Sequence, residues 1–297
     1  MNTLYRTRTF SEKFSLVFEW MRSEWKTLLK YVTLFLLPIS LLQSFGFSSI
    51  MSSSLSEFVT GDAFTHLSAT AIAGMALYYL CAIVGALLVY SLALFFVRRN
   101  LMEGKTNDRL TAGETLRSAL RFVPRLILQG FVLTVILVVA VCALTVLAVL
   151  TPLTLIVTLP LLVSFIVAMM PCLPTYLLTE ESLFSSIGHG MRLGYKCWWG
   201  FFSTIFVMGL LVGVLSGFAS VPVYAAIGIK AAIGDTLSSS ATGVVDFLTY
   251  VGGVLSIYVN FVLSILSVAI LCVQYGHAAD KCDGITAQQE VDEFPEF

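Results

Sequence analysis

Long apolar runs alternate with short polar segments along this chain, and that alternation predicts its architecture. Each run is continuously apolar and lacks the two-residue alternation of a barrel strand. A helix of about 20 apolar residues crosses the roughly 30 Å hydrocarbon core of a bilayer and satisfies its own backbone hydrogen bonds there. We predict six transmembrane helices, at residues 28–47, 69–97, 122–148, 153–178, 201–229 and 247–275.

Composition supports this class of protein. Hydrophobic residues make up 58% of the 297 residues and charged residues only 12%, with a mean hydropathy of +0.91. These values exceed what a soluble domain of this length needs to fill its core. We therefore expect an all-α polytopic membrane protein, with one integral membrane domain over residues 1–279 and a flexible acidic tail over residues 280–297.

The basic residues are segregated by side of the predicted membrane. Of the 17 Lys and Arg residues, all except Lys230 fall on one side of the six predicted spans. Because Lys and Arg near span ends are retained in the cytoplasm, this pattern predicts a bacterial inner-membrane protein with both termini in the cytoplasm. It also argues against nucleic-acid binding, since the basic residues lie beside lipid-facing helices.

Three amphipathic segments precede the first, third and fifth spans, at residues 10–22, 109–125 and 183–199. We expect them to form interfacial helices on the cytoplasmic face. In the second segment four arginines are separated by multiples of four residues, a spacing that places them along one helical stripe. These arginines are Arg109, Arg117, Arg121 and Arg125. They are candidate contacts for anionic lipid headgroups, worth about 1 kcal/mol per basic residue, or else ordinary retention charges on a connecting helix.

Inside the predicted spans the polar residues are few. No Asp, Glu, Lys or Arg falls near a predicted bilayer midplane, whereas ion-coupled carriers commonly place such groups along their pathway. Asn260 and Gln129 are the candidates for an interior polar site.

Small residues recur every four positions on the last two spans. The fifth span carries Gly209, Gly213 and Gly217, and the sixth carries Gly252 and Ser256 in the same register as Asn260. Helices approach closely in lipid where such residues meet. We predict that these two helices pack against each other, with a substrate path or a dimer seam as the alternatives.

The fourth span is rich in proline. Pro removes a backbone donor and clashes with the preceding helical turn. We therefore predict bends near Pro160 and around Met170.

Catalytic and metal-binding motifs are not found. The sequence contains no HExxH, GxSxG, P-loop or EF-hand pattern, and no Cys or His spacing typical of a metal site. Glu180 and Glu181 precede a predicted helix, where carboxylates stabilise the unpaired amides, and His189 stands alone in sequence. We expect no enzyme activity, no cofactor and, because no cysteine falls in a predicted outer loop, no disulfide.

A family resemblance lies in residues 174–202. Pro174 is followed by a hydrophobic stretch, Glu181, a short amphipathic helix with Arg192-Leu193-Gly194, and then Trp198 at the entry to a span. This order resembles the membrane domain attached to some bacterial glycerophosphodiester phosphodiesterases, and related stand-alone six-span bacterial membrane proteins. In those enzymes a separate soluble barrel performs hydrolysis, and this sequence contains no such barrel. The resemblance implies a membrane module in which the Glu and Trp seat the surface helix.

Three functions are compatible with these features. The first is a non-catalytic module that organises anionic lipid, a partner membrane protein or a second copy of the chain at the inner face. The second is a permease or flippase for a small amphiphile or lipid, which requires a polar cavity inside the membrane. The third is an intramembrane lipid enzyme, which requires Glu180, Glu181 and His189 to converge on a cleft.

Overall fold

The computed structural model describes residues 4–60, 69–105, 110–150, 155–179, 181–233 and 239–285. Every regular element in these ranges is helical. The α-helices are α1 (Phe10–Thr60), α2 (Ala69–Val97), α3 (Ala112–Leu120), α4 (Val123–Leu150), α5 (Leu155–Met169), α6 (Cys172–Leu178), α7 (Leu183–Lys196), α8 (Trp198–Ile233) and α9 (Ser239–Asp283). A π-helical turn, Arg98–Met102, follows α2 directly.

The prediction of six helices long and apolar enough to cross a membrane is confirmed. Within the described residues six helical stretches meet this description, and each overlaps one of the six predicted spans. Their outer faces are apolar as well: Ile156 on α5 is 72% exposed and Phe218 on α8 is 73% exposed. Apolar surfaces of this kind are stable against lipid tails, whereas in water they would be costly to expose.

Contacts between residues divide the chain into two compact units. Unit 1 comprises residues 1–25, 91–208 and 266–297, and unit 2 comprises residues 26–90 and 209–265. In unit 1, α7 packs against α5 and α6, and α4 packs against α3, α5 and α6. The α7 contact is close, because a Cβ added to Gly194 would lie 2.2 Å from the carbonyl oxygen of Ala168.

Unit 2 is built from parts of α1, α2, α8 and α9. Its helices approach at glycines: a Cβ added to Gly46 of α1 would lie 2.8 Å from the carbonyl oxygen of Gly74 of α2. A second close approach is made by Gly252 of α9, where an added Cβ would lie 3.1 Å from the backbone nitrogen of Val223 of α8. Only residues without a Cβ allow backbones this near each other in lipid.

Several helix ends differ from the sequence predictions. The predicted surface segment at residues 10–22 is the beginning of α1, and α1 continues past the predicted end at residue 47 to Thr60. No glycine or proline lies between Phe10 and Pro38, so nothing in the sequence separates that segment from the span. At the other end α9 continues to Asp283, four residues into the predicted tail, and residues 286–297 lie outside the described ranges.

Proline acts differently at its two predicted positions. The fourth span is interrupted between Met169 and Cys172, where Pro171 separates α5 from α6. Pro160, in contrast, lies within α5 without ending it. The break was predicted around Met170, and the helix is divided there because Pro171 cannot donate to the turn before it.

Candidate functional site

The end of α2 places two arginines side by side. The π-helical turn Arg98–Met102 closes with the backbone amide of Glu103 donating to the carbonyl of Arg98, at 3.1 Å. A π turn widens the helix by one residue and occurs often at functional sites. It presents Arg98 at the surface and leaves Arg99 half-buried.

A break between α3 and α4 places two more arginines. A capping box fixes the start of α3, where Thr111 Oγ1 accepts from the amide of Glu114 and the Glu114 carboxylate accepts from the amide of Thr111. Pro124 in the first turn of α4 cannot donate to the carbonyl of Leu120, so the helix does not run through this point. Arg121 therefore sits in the turn between the helices and Arg125 in the first turn of α4.

These four arginines line one cavity of unit 1, with a volume of about 420 Å³. Phe95, Phe122, Ser118 and Glu103 complete the described lining. The Glu103 carboxylate is shared, because it lies 2.9 Å from Lys105 Nζ and 3.8 Å from Arg98 Nε. Among the described lining residues, four arginines surround one carboxylate, that of Glu103, which also pairs with Lys105. This part of the cavity is therefore electropositive. We call this cavity the basic cavity.

Arg125 has an additional contact. Its guanidinium carbon lies 5.9 Å from the ring centroid of Tyr176 on α6, within the range of a cation–π attraction. This contact orients the guanidinium on the wall of the basic cavity.

The sequence-predicted arginines therefore separate into three groups. Arg121 and Arg125 line the basic cavity, Arg117 is exposed on α3 outside its described lining, and Arg109 lies outside the described residues. The predicted stripe requires one continuous helix through all four arginines, and that helix is interrupted between Arg117 and Arg121 because α3 ends at Leu120. Sequence reasoning missed Arg98 and Arg99 as site residues. The sequence did contain a signal for them. Arg98 and Arg99 follow the end of the second predicted span, and Arg125 lies at the start of the third, on the same predicted side of the membrane.

A second polar cluster lies on α7. His189 Nδ1 is 2.9 Å from Glu181 Oε1, and His189 Nε2 is 2.8 Å from Asp283 Oδ2 at the end of α9. Arg192 donates to the other oxygen of Asp283 at 2.6 Å. Burial disfavours a charged imidazole, but the hydrogen bonds and charges of Asp283 and Glu181 outweigh it and raise the pKa of His189. We call this group the His189 cluster.

The geometry of the His189 cluster fits a structural role. Both ring nitrogens already face carboxylates, so neither is available to take a proton from a substrate. The nearby Ser185 hydroxyl donates to Glu181, at 3.2 Å, and not to the histidine. The expectation that Glu180 would join this site falls on a residue outside the described ranges. The cluster ties α7 to the end of α9 within unit 1.

The two predicted interior polar residues lie in different units. Gln129 is fully buried in unit 1, where its Nε2 donates to the carbonyl oxygen of Cys172. Asn260 lies in unit 2, where its Oδ1 accepts from Ser216 and its Nδ2 donates to the carbonyl of Ser256, both at 2.9 Å. Gln129 thus connects α4 to α6, and Asn260 connects α9 to α8.

Asn260 also lines a cavity of about 320 Å³ in unit 2. Gln43, Ser220 and Ser256 contribute further polar groups to its described lining, and Phe47 and Phe261 contribute aromatic faces. None of these described residues carries a charge. We call it the neutral cavity.

The prediction for the small-residue seam is half wrong. Within the part of the chain that the structure describes, a Cβ added to Gly209, Gly213 or Gly217 would meet no atom within 4 Å, so these glycines make no close contact with the described residues of α9. Contact between α8 and α9 is made elsewhere, by Gly252 against Val223 and by the Ser220–Ser256 hydrogen bond of 2.6 Å. The three glycines lie on another face of α8, which the four-residue spacing alone does not reveal.

Comparison of the chain with protein family models, with characterised proteins and with solved structures finds no match.

Proposed function

We propose that this protein is a non-catalytic membrane module that binds the phosphate headgroup of anionic lipid at the inner face of a bacterial cytoplasmic membrane. The observation that supports the proposal is the basic cavity, where Arg98, Arg99, Arg121 and Arg125 meet around one space.

The side-chain chemistry favours phosphate. A guanidinium presents a planar fork of donors that matches two oxygens of a phosphate, and it stays charged at any physiological pH. Arg98, Arg121 and Arg125 are exposed, and Ser118 adds a hydroxyl donor to the same space. A headgroup with a net negative charge is therefore attracted to this cavity more strongly than a headgroup without one.

The surroundings of the cavity favour a lipid over a soluble phosphate. Phe95 and Phe122 line it beside the guanidinium groups, and these rings would accept the glycerol backbone and the first carbons of an acyl chain. The basic cavity also lies at the ends of α2 and α4, two of the helices long enough to span a bilayer. Headgroups are found at that level, and the positive-inside rule assigns basic span ends to the cytoplasmic side.

The test is native mass spectrometry of the protein extracted in mild detergent and supplied with phosphatidylglycerol or phosphatidylcholine. The wild type should retain phosphatidylglycerol and not phosphatidylcholine. The triple variant Arg98→Gln, Arg121→Gln, Arg125→Gln should retain roughly 100-fold less, because each basic residue contributes about 1 kcal/mol. Arg117→Gln is the matched control, since it removes one exposed arginine of α3 that does not line the cavity.

Two results would contradict the proposal. Equal retention of both lipids by the wild type would remove the preference for negative charge. Displacement of the lipid by inorganic phosphate at equal concentration would show that the site recognises free phosphate and makes no use of the lipid.

A permease or flippase is the second candidate, and the neutral cavity is the observation that favours it. Transport requires that such a cavity open to each side of the membrane in turn. Reconstituted protein should then move a fluorescent lipid between the leaflets of a vesicle, which dithionite quenching from outside measures. Quenching of half the label, as in empty vesicles, would exclude this function.

A further inference from the structure

Unit 2 contains an acceptor that has no partner. Gln43 is 5% exposed, and its Oε1 atom makes no hydrogen bond within the part of the chain that the structure describes. The other amide of this cavity, Asn260, is satisfied by Ser216 and Ser256. A buried carbonyl oxygen without a donor is costly. Gln43 lines the neutral cavity, so a rotation of its amide would bring Oε1 to a donor on a molecule bound there.

The rest of the lining limits what that molecule can be. Tyr78, Tyr224 and Phe261 place aromatic faces beside the polar groups of the neutral cavity. No described lining residue is charged, and an ion would have no counter-charge at this depth in a membrane. The ligand should therefore combine an uncharged donor, a hydroxyl or an amide, with an apolar body. The volume of about 320 Å³ falls at the lower end of the range for small-molecule sites, about 300–1,000 Å³.

The walls of the neutral cavity are held in place by close contacts around it. A Cβ added to Gly85 of α2 would lie 2.5 Å from the ring of Phe261, and one added to Gly253 would lie 2.4 Å from Ser44 Oγ. Ser44 in turn donates to the carbonyl of Tyr250 at 2.7 Å. Helices that are in contact at these points cannot easily collapse into the space between them, so the site is formed before a ligand arrives.

We propose that the neutral cavity binds an uncharged amphiphile, whose hydroxyl or amide group donates to Gln43 Oε1 while its apolar part lies against the aromatic wall. This site is independent of the basic cavity. It uses other residues, in the other unit, and recognises a ligand that the basic cavity would reject.

The test uses three photoreactive probes with the same eight-carbon chain and the same diazirine. One is the primary alcohol, one is the alkane without a hydroxyl, and one is the carboxylate. After illumination of the purified protein in detergent, peptide mass spectrometry locates the label. The alcohol should label the lining, at Phe47, Tyr78 or Phe261, and excess unlabelled octanol should compete. The alkane and the carboxylate should label these residues about tenfold less, since they lack the neutral donor.

Gln43→Leu removes the acceptor with little change of volume and should reduce alcohol labelling of the lining about tenfold. Gln129→Leu is the matched control, because Gln129 is a buried glutamine of unit 1 and should leave the labelling unchanged. If Gln43→Leu does not fold, the comparison of alcohol with alkane on the wild type decides the question.

Three results would overturn the proposal. Equal labelling by alcohol and alkane would show that the hydroxyl is not recognised. Label confined to outward residues of α8 such as Val214 and Phe218 would show only partitioning at the surface. No label in the lining would mean that the cavity holds water alone.

Discussion

The two units each contain a polar cavity, and the two cavities are lined by different kinds of side chain. The described lining of the unit 1 cavity contains four arginines and one carboxylate, whereas that of the unit 2 cavity contains amides, hydroxyls and aromatic rings without a charge. The difference follows the cost of burying charge. A guanidinium is tolerated at a span end, where water and headgroups reach it, but is expensive deep in hydrocarbon. Each unit should therefore recognise a different ligand, one anionic and one neutral.

The largest effect should come from separating the helices of unit 2. In Gly46→Val the new Cβ would lie 2.8 Å from the carbonyl oxygen of Gly74 and 2.9 Å from the amide of Tyr78. Both atoms are backbone, so the helices must move apart. We expect the free energy of unfolding to fall by about 3 kcal/mol, measured by thermal unfolding in detergent. Alcohol labelling of the neutral cavity should fall with it, while lipid retention by folded protein should persist.

Gly213→Val is the control for that variant, because a Cβ at this glycine would meet no atom of the described residues within 4 Å. A matching loss of stability in Gly213→Val would mean that the effect comes from the helix itself and not from the contact between helices.

The next largest effect should be that of salt, which should weaken ligand binding at one cavity and not at the other. Raising the salt concentration to about 1 M shortens the Debye length to about 3 Å, and binding of a short-chain fluorescent phosphatidylglycerol should weaken about tenfold at the basic cavity. Fluorescence anisotropy measures this. Alcohol labelling of the neutral cavity should not weaken, because no charge takes part. Equal salt dependence at both sites would contradict the contrast drawn between them.

The stability of unit 1 should depend on pH through the His189 cluster. Glu181 and Asp283 face His189, and Arg192 holds the second oxygen of Asp283. Because the folded pKa of His189 is raised, its stabilisation is fully present below the unfolded pKa of about 6.5 and is lost as the pH rises through the folded pKa. Because exposed ion pairs are screened by solvent and contribute at most about 1 kcal/mol, we expect this change in stability to be small.

The measurement is the melting temperature of wild type and His189→Gln between pH of about 6 and 9. The advantage of the wild type should shrink as the pH rises. The ion pair of unit 2, Lys230 with Asp246 at 2.6 Å, contains no histidine, so Asp246→Asn should show no such trend. A wild-type advantage that stays constant with pH would show that a charged His189 makes no contribution.

The smallest effect should come from Arg125→Lys. Lysine keeps the charge but loses the planar fork and most of the attraction to the ring of Tyr176. We expect phosphatidylglycerol binding to weaken about threefold, measured by the same anisotropy assay. Arg117→Lys, outside the described lining of the cavity, should leave binding unchanged; a threefold loss there as well would indicate a general surface effect.

Hydrophobicity predicted the helices well and their contacts poorly. The six spans follow from length and composition, which act residue by residue. The face that each helix presents to its neighbours does not follow from length and composition. Gly209 and Gly252 each belong to a row of small residues spaced four positions apart. Gly252 packs against Val223, whereas a Cβ at Gly209 would meet no atom of the described residues within 4 Å. Rotation of a helix about its axis is set by its partners, and a sequence that is apolar on all sides gives little indication of it.

The sequence predicted the chemistry of the candidate sites but not all of the residues that form them. Arg121 and Arg125 were expected at a lipid surface, and they line the basic cavity together with Arg98 and Arg99, which are more than 20 residues away in sequence. Of the two carboxylates that contact His189, the nearby Glu181 was considered from the sequence, whereas Asp283 was missed because it is 94 residues distant. The basic cavity and the His189 cluster both form because the fold brings residues that are distant in sequence together. Gln43 shows the same limit, since only the fold reveals that its buried oxygen has no described partner.

The most direct test of the contrast between the two units measures both ligands on both site variants. Phosphatidylglycerol retention and alcohol labelling would be determined for wild type, for Arg98→Gln with Arg121→Gln and Arg125→Gln, and for Gln43→Leu. The account predicts that the arginine variant loses lipid and keeps the alcohol label, while Gln43→Leu loses the alcohol label and keeps lipid. Loss of both ligands in either folded variant, or of neither in both, would contradict it.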